Sequence, residues 1–195
     1  RITQRTIMKL IQPGNSKLHN MYMWNMPATK LQCGRICPGC YARREETRWP
    51  SVRKAREARY QASLQPDFSS RIIAELKALR KPPKYFRVHA SSEFYSQSYI
   101  DSWITIAKSF PDITFFSYTK RLRDFDFKIL QTLPNFILID SLHFGKLNFS
   151  ALSNAPQTAF ICPDQKGAAV QCGISCTWCM TKGKADVNGV WFIAH

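Results

Sequence analysis

An α/β fold is what this chain predicts, either an open parallel sheet covered by helices or an incomplete α/β barrel. Three observations carry that expectation. From Tyr85 onward, short apolar runs alternate with amphipathic stretches of helical period. The apolar runs are nearly continuous, as strands covered on both faces are. And 195 residues fall short of the roughly 250 that a complete eight-fold barrel takes. The whole of 1–195 reads as one domain, and 45% apolar residues are enough for a substantial core.

Taken in order, residues 6–12 (TIMKLIQ) read as a short strand, closed by the turn formers Pro13-Gly14-Asn15-Ser16. Met21 to Met26 form a second apolar stretch, leading through Pro27 into a cysteine loop at 33–40. Pro50-Ser51 opens a helix that runs to about Leu64. A second helix is expected from Asp67 to Leu79, with Phe68, Ile72, Ile73, Leu76 and Leu79 on one face. Tyr85–His89 is a strand, Gln97–Phe110 a helix with Ile100, Trp103, Ile104 and Ala107 inward, and Ile113–Tyr118 a strand. Asp124–Leu133 is a helix and Phe136–Asp140 a strand. A short strand precedes Cys162, and Val190–Ala194 adds a last one.

The cysteines are the strongest chemical signal. Cys33-x3-Cys37-x2-Cys40 is repeated near the end as Cys172-x3-Cys176-x2-Cys179, and the seventh cysteine, Cys162, lies just upstream of the second run. Three thiolates within eight residues suit three corners of an iron–sulfur cube. The first run then leaves one iron without a cysteine, whereas Cys162 completes a four-cysteine set in the segment 162–179. Two [4Fe-4S] clusters are the expectation, the first open and reactive, the second closed and structural. Zinc is the competing reading, more so for the second set, because zinc takes four thiolates in closed sites. An odd number of clustered thiols suits a reducing compartment, hence the cytoplasm. No apolar run approaches the roughly 20 residues that span a bilayer, so no membrane partner is expected.

Charge is the second global signal, at +15 overall. Residues 1–60 hold 13 basic and 3 acidic side chains, a local excess of +10, densest from Arg43 to Arg59. A field of this sign and size favours polyanions. Arg43, Arg44, Arg53, Lys54, Arg56 and Arg59 are therefore the candidate nucleic-acid contacts, set against a merely solvated helix face. On that alternative function, the protein is a basic nucleic-acid-binding protein and not an enzyme, its clusters or zinc serving as structural staples.

The C-x3-C-x2-C spacing resembles the cluster motif of the radical S-adenosylmethionine (SAM) superfamily, here with Gly39 before the third cysteine and Tyr41 after it. That resemblance implies a loop after the first barrel strand and SAM as the ligand of the open iron. It also implies contact with the methionyl amine from the end of the next strand, where this chain has Ser91-Ser92-Glu93. His89, Glu93 and Lys120 are the candidate catalytic residues, since α/β sheets place function at the C-terminal ends of their strands. Tyr118, Thr119 and Asp140 belong to the same rim. The chain also resembles the phage "Gene Product 88" family over nearly its full length. The resemblance rests on Cys33-Gly-Arg-Ile-Cys37-Pro-Gly-Cys40-Tyr41-Ala42 and on His89-Ala-Ser-Ser-Glu93-Phe-Tyr95-Ser96 with Tyr99 and Trp103. It extends to Phe116-Ser-Tyr118-Thr119-Lys120, the C-terminal cysteines and Phe192-Ile-Ala-His195. It implies an iron–sulfur protein of a phage or mobile element, in the host cell cytoplasm if phage-encoded, and names no reaction.

Overall fold

Strands β1 (Gln12–Pro13), β2 (Met21–Trp24), β3 (Tyr85–Val88), β4 (Thr114–Thr119) and β5 (Phe136–Asp140) form one sheet in the order 1-2-3-4-5. The computed structural model describes residues 8–14, 18, 20–35, 37, 39–140, 160–161, 178–182 and 190–191. β1 runs antiparallel to β2, while β2 to β5 are parallel, with Trp24 opposite Val88, Phe86 opposite Phe115 and Thr119 opposite Asp140. Of the two expected architectures, the described residues form the open sheet, and its edge strand makes it mixed. A separate parallel pair, β6 (Phe160–Ile161) and β7 (Val190–Trp191), matches the two late strands in place.

Each crossover between β2 and β5 steps one strand in the same direction. Because such crossovers are right-handed, the helices gather over one face. Four helices separate β2 from β3: α1 (Lys30–Cys33), α2 (Tyr41–Arg48), α3 (Pro50–Ser63) and α4 (Phe68–Lys77). Then α5 (Gln97–Lys108) leads to β4 and α6 (Lys128–Thr132) to β5. The covered face buries Trp24, Phe86, Val88, Phe115, Phe136 and Leu138 from the strands. Against them pack Phe68, Ile72 and Leu76 of α4 and Tyr99, Ile100, Trp103 and Ala107 of α5, the stripes expected from helical spacing. Trp24 meets Phe68 at 5.0 Å and Phe86 meets Phe115 at 5.4 Å between ring centres, so large rings interlock along the whole sheet.

Alternate strand residues face the other way. Met21, Tyr85, Phe116, Ile137 and Ile139 make a second, smaller core, closed by Met180 of a 3₁₀ turn at Trp178–Met180. Cys179 is partly buried in the same cluster. Lys182 fastens this turn by donating to the carbonyls of Gln131 at 2.9 Å and Phe136 at 3.0 Å. Among the described residues no helix is long and apolar enough to cross a membrane.

The expected strand over residues 6–12 is corrected: of its described part, only Gln12 belongs to a strand, with Pro13 beside it. The amides of Leu10 and Ile11 donate to the Glu75 carboxylate at 2.8 to 3.0 Å, so those donors are satisfied without a ladder. The helix expected at Asp124–Leu133 is confined to Lys128–Thr132. Helix α2, not anticipated from sequence, begins directly after Cys40.

Candidate functional site

The cysteine loop follows β2 and lies over the C-terminal ends of the parallel strands, where α/β sheets place their sites. Three supports fix it. At its front, Thr29 caps α1 by accepting from the Leu31 amide at 3.2 Å. At its end, Gly34 adopts φ +69°, and an added Cβ would lie 2.9 Å from Cζ of Arg121. Only glycine suits both the left-handed turn and that close approach. Arg121 in turn donates to the Gln32 carbonyl at 3.1 Å and pairs with Asp124 at 2.7 Å, pinning the loop to the end of β4. Tyr41, the aromatic just after the third cysteine, donates its hydroxyl to the Ala90 carbonyl beyond β3.

The second support is a buried charge clamp. Glu46 of α2 accepts from the Ala28 amide at 3.0 Å and pairs with Arg56 of α3 at 2.9 Å. Arg56 also reaches Glu45 at 2.7 Å and the Ala42 carbonyl at 3.1 Å. One carboxylate thus holds the chain on both sides of the cysteines. Arg56 and Arg59 are therefore corrected as nucleic-acid contacts: both are buried. Arg59 donates to the Leu10 carbonyl at 2.9 Å. Their positions were legible, because Val52, Ala55, Ala62 and Ser63 mark the inward face of α3 at helical spacing. Arg43, Arg44, Arg53 and Lys54 are exposed.

Cys33, Cys37 and Cys40 are each half-buried and unbridged. The third support comes from below them, where β3 and β4 end. Glu93 is buried and accepts from the Thr119 hydroxyl at 2.8 Å and the Lys120 amide at 3.1 Å. Burial pushes its carboxyl up to about 7, against the pull of Thr119, Lys120 and Arg121. Lys120 extends its ammonium to Sγ of Cys37 at 3.1 Å. Burial, then the Glu93 charge and the neighbouring thiols of Cys40 and Cys37, push the Cys33 thiol up to about 12, while the Ser92 hydroxyl opposes them. Ser92 sits at φ +83°, and its Oγ is buried without a partner of good geometry. Ser91 is fully engaged with the segment just after β2: its amide donates to Asn25 at 3.0 Å and its hydroxyl to the Met26 carbonyl at 2.9 Å.

Among the described residues, no three Cys, His, Asp or Glu side chains meet around a point that would hold a single metal ion. A cube asks for a different arrangement, because each thiolate takes its own iron. The donor set suits that demand: three thiols on one glycine-turned loop, close enough to raise one another's charging cost, beside the cations Lys120 and Arg121. Of the second set, Cys162, Cys172 and Cys176 lie outside the described residues, and Cys179 lies on the face of the sheet opposite the helices.

His89 does not line this site. Its φ of +62° turns the ring into the helix-side core, where Nε2 shares a hydrogen bond with the Tyr99 hydroxyl at 2.8 Å and the ring meets Phe94 edge-on. Burial lowers its pKa to about 3, so it is neutral. Tyr118 packs on the opposite sheet face under Arg87, 5.4 Å from the ring centre, and Asp140 ends β5 in register with Thr119. Sequence reasoning missed Asn25 and Arg121. Arg121 follows Lys120 at a strand end, the one signal that could have found it.

The chain belongs to the Gene product 88 family, whose model matches residues 3–189. It is similar to the Gene 88 protein of Mycobacterium phage D29, at 37% identity over 41 residues, and to that of Mycobacterium phage L5, at 39% over 41 residues. Each match spans 21% of this chain and 17% of the relative. No solved structure matches it.

Proposed function

We propose that this phage gene 88 family protein holds an open [4Fe-4S] cluster on Cys33, Cys37 and Cys40 and uses it for radical-SAM-like redox chemistry. A second, closed cluster on Cys162, Cys172, Cys176 and Cys179 belongs to the same reading. The observation that carries it is the meeting of three thiols, the Ser92-Glu93 turn and Lys120 at the ends of three consecutive parallel strands. Four parallel strands in chain order, with the cysteine loop after the first, also support this reading.

When bound, a reduced cluster with an open iron supplies one electron to the SAM sulfonium and cleaves a carbon–sulfur bond. The protein's own part is binding and orientation. Lys120 offsets the negative charge of the thiolates at Cys37. Glu93, locked by Thr119 and the Lys120 amide, presents a carboxylate to a ligand amine beside Cys33. Ser92 offers a hydroxyl with free hydrogen-bonding capacity, and Arg121 keeps the loop in place.

The test is anaerobic purification followed by iron, sulfide and zinc analysis, then EPR of the reduced protein with and without SAM. Roughly eight irons per chain are expected, with a spectrum that SAM shifts and slow release of 5′-deoxyadenosine. Stoichiometric zinc without sulfide overturns the cluster reading. A cluster spectrum indifferent to SAM overturns the SAM reading alone.

A further inference from the structure

We infer that the exposed face of α2 and the start of α3 form a docking trough for single-stranded nucleic acid that ends at the cysteine loop. The inference goes beyond the cluster reading: it shares the cysteine end with it, and stands on the arginines and exposed rings beside that loop. Two clefts meet on this face. One of about 430 Å³ is lined by Cys37, Gly39, Cys40, Arg43, Arg44, Thr47 and Arg48. The other, of about 300 Å³, lies across Arg43 and Thr47 and adds Lys30 and Arg53.

The charge here is largely uncompensated for a structural reason. Glu45 and Glu46, the acids interleaved with these arginines, both pair with Arg56, whose single charge leaves one of their two unbalanced, so five cations keep an excess of four. Among the described residues, no ion pair engages Lys30, Arg43, Arg44, Arg48 or Arg53. Five cations thus face solvent around two shallow, open clefts, which suits contact with a nucleic-acid backbone.

Exposed rings decide between one strand and two. Tyr41 and Trp49, 52% and 53% exposed, stand at the two ends of α2, and the Arg48 guanidinium covers Trp49 at 5.3 Å from the ring centre. Rings left in water at a cationic groove are stacking platforms for unpaired bases, which a duplex does not offer. The trough follows α2 from Cys40 to Arg48, about 12 Å at 1.5 Å per residue, the length of three to four nucleotides at about 3.4 Å each. Its cysteine end brings a base next to the candidate reactive centre, which suits an unpaired base as the substrate.

The experiment is fluorescence anisotropy of a labelled 12-mer of dT and of a 12-base-pair duplex, titrated with anaerobically prepared full-length protein without SAM. The single strand should bind at least tenfold more tightly. Its affinity should fall roughly 30-fold between 50 and 200 mM salt, from a log–log slope near −2.5 for the three to four phosphates the trough spans at about 0.7 each. Arg44→Gln with Arg48→Gln should flatten that slope by about 1.4. Trp49→Leu should weaken binding about tenfold and leave the slope unchanged. Lys81→Gln with Lys108→Gln removes the same charge from exposed positions at the opposite ends of the strands and should change nothing. Equal or tighter binding of the duplex, equal loss in that control pair, or no binding to dT at 50 mM salt overturns the inference. Iron analysis is a separate measurement, so failure of the cluster reading and failure of this one are told apart.

Discussion

Arg53 and Arg56 lie one turn apart on the same helix, yet the structure gives them opposite work. Arg56 is nine-tenths buried against an equally buried Glu46, and it also bonds Glu45 and the Ala42 carbonyl. Arg56→Met keeps most of the packing volume and removes the charge. Glu46 is then left as a buried carboxylate whose remaining partner is the Ala28 amide. Removing one member of a buried pair costs about 3–5 kcal/mol, most of it the stranded charge. At about 2–4 °C per kcal/mol for a chain of this size, the melting point should fall by roughly 10 °C. If stranding is the cause, Arg56→Met with Glu46→Gln should recover at least about 1 kcal/mol, although it deletes one more interaction. Arg53→Met should stay within about 0.5 kcal/mol of the parent, as exposed substitutions do. Urea unfolding followed by tryptophan fluorescence measures all three. Equal losses at 53 and 56, or a double variant no better than the single, would refute the clamp.

Two further outcomes follow from backbone and burial. Gly34→Ala should destabilise by about 1–2 kcal/mol from the left-handed turn alone, and more from the collision with Arg121. Adding Arg121→Ala should relieve only the collision, so a full rescue would sink the turn argument. His89 is buried neutral with its pKa near 3, below the 6.5 of the unfolded chain, so the native state binds fewer protons. Stability is therefore whole above about pH 6.5 and is lost as pH falls below it, by about 3 kcal/mol at pH 4.5. Neighbouring Phe94 and Tyr99 carry no charge there to offset it. His89→Gln should flatten the unfolding free energy between pH 6 and 4, and a profile as steep as the parent's would refute this.

The sheet was legible because its strands are covered on both faces. Tyr85–Val88, Thr114–Thr119 and Phe136–Asp140 are nearly continuous apolar runs, and α4 and α5 bury the predicted faces. What was illegible depended on contacts far along the chain. Residues 8–11 have a strand's composition, but Glu75 takes the amides of Leu10 and Ile11 that a ladder would need. His89 reads as a rim residue because alternation after Val88 points it away from the helices. Its positive φ breaks that alternation and returns the ring to Tyr99. A count of positive charge could not separate Arg53 from Arg56, because sign is in the composition and burial is in the packing. The cysteine loop itself was readable from spacing, while its counter-charges, Lys120 and Arg121, lie more than 80 residues away.

β4 explains why those distant residues matter. Its face opposite the helices, through Phe116 and Tyr118, packs with Cys179 and Met180. Its C-terminal end, through Thr119, Lys120 and Arg121, sets Glu93, touches Cys37 and pins the carbonyl before Cys33. Both described cysteine segments therefore take their positions from one strand at the middle of the parallel sheet, paired on both sides. A paired strand cannot shift by one residue without moving its whole apolar set to the wrong face. The sequence Phe116-Ser-Tyr118-Thr119-Lys120-Arg121 is thus under two constraints at once, alternation for the cores and chemistry at the tip. That is why an ammonium sits at a thiol 83 residues earlier: the register of β4 with β3 and the clamp on the loop leave each little freedom to be elsewhere.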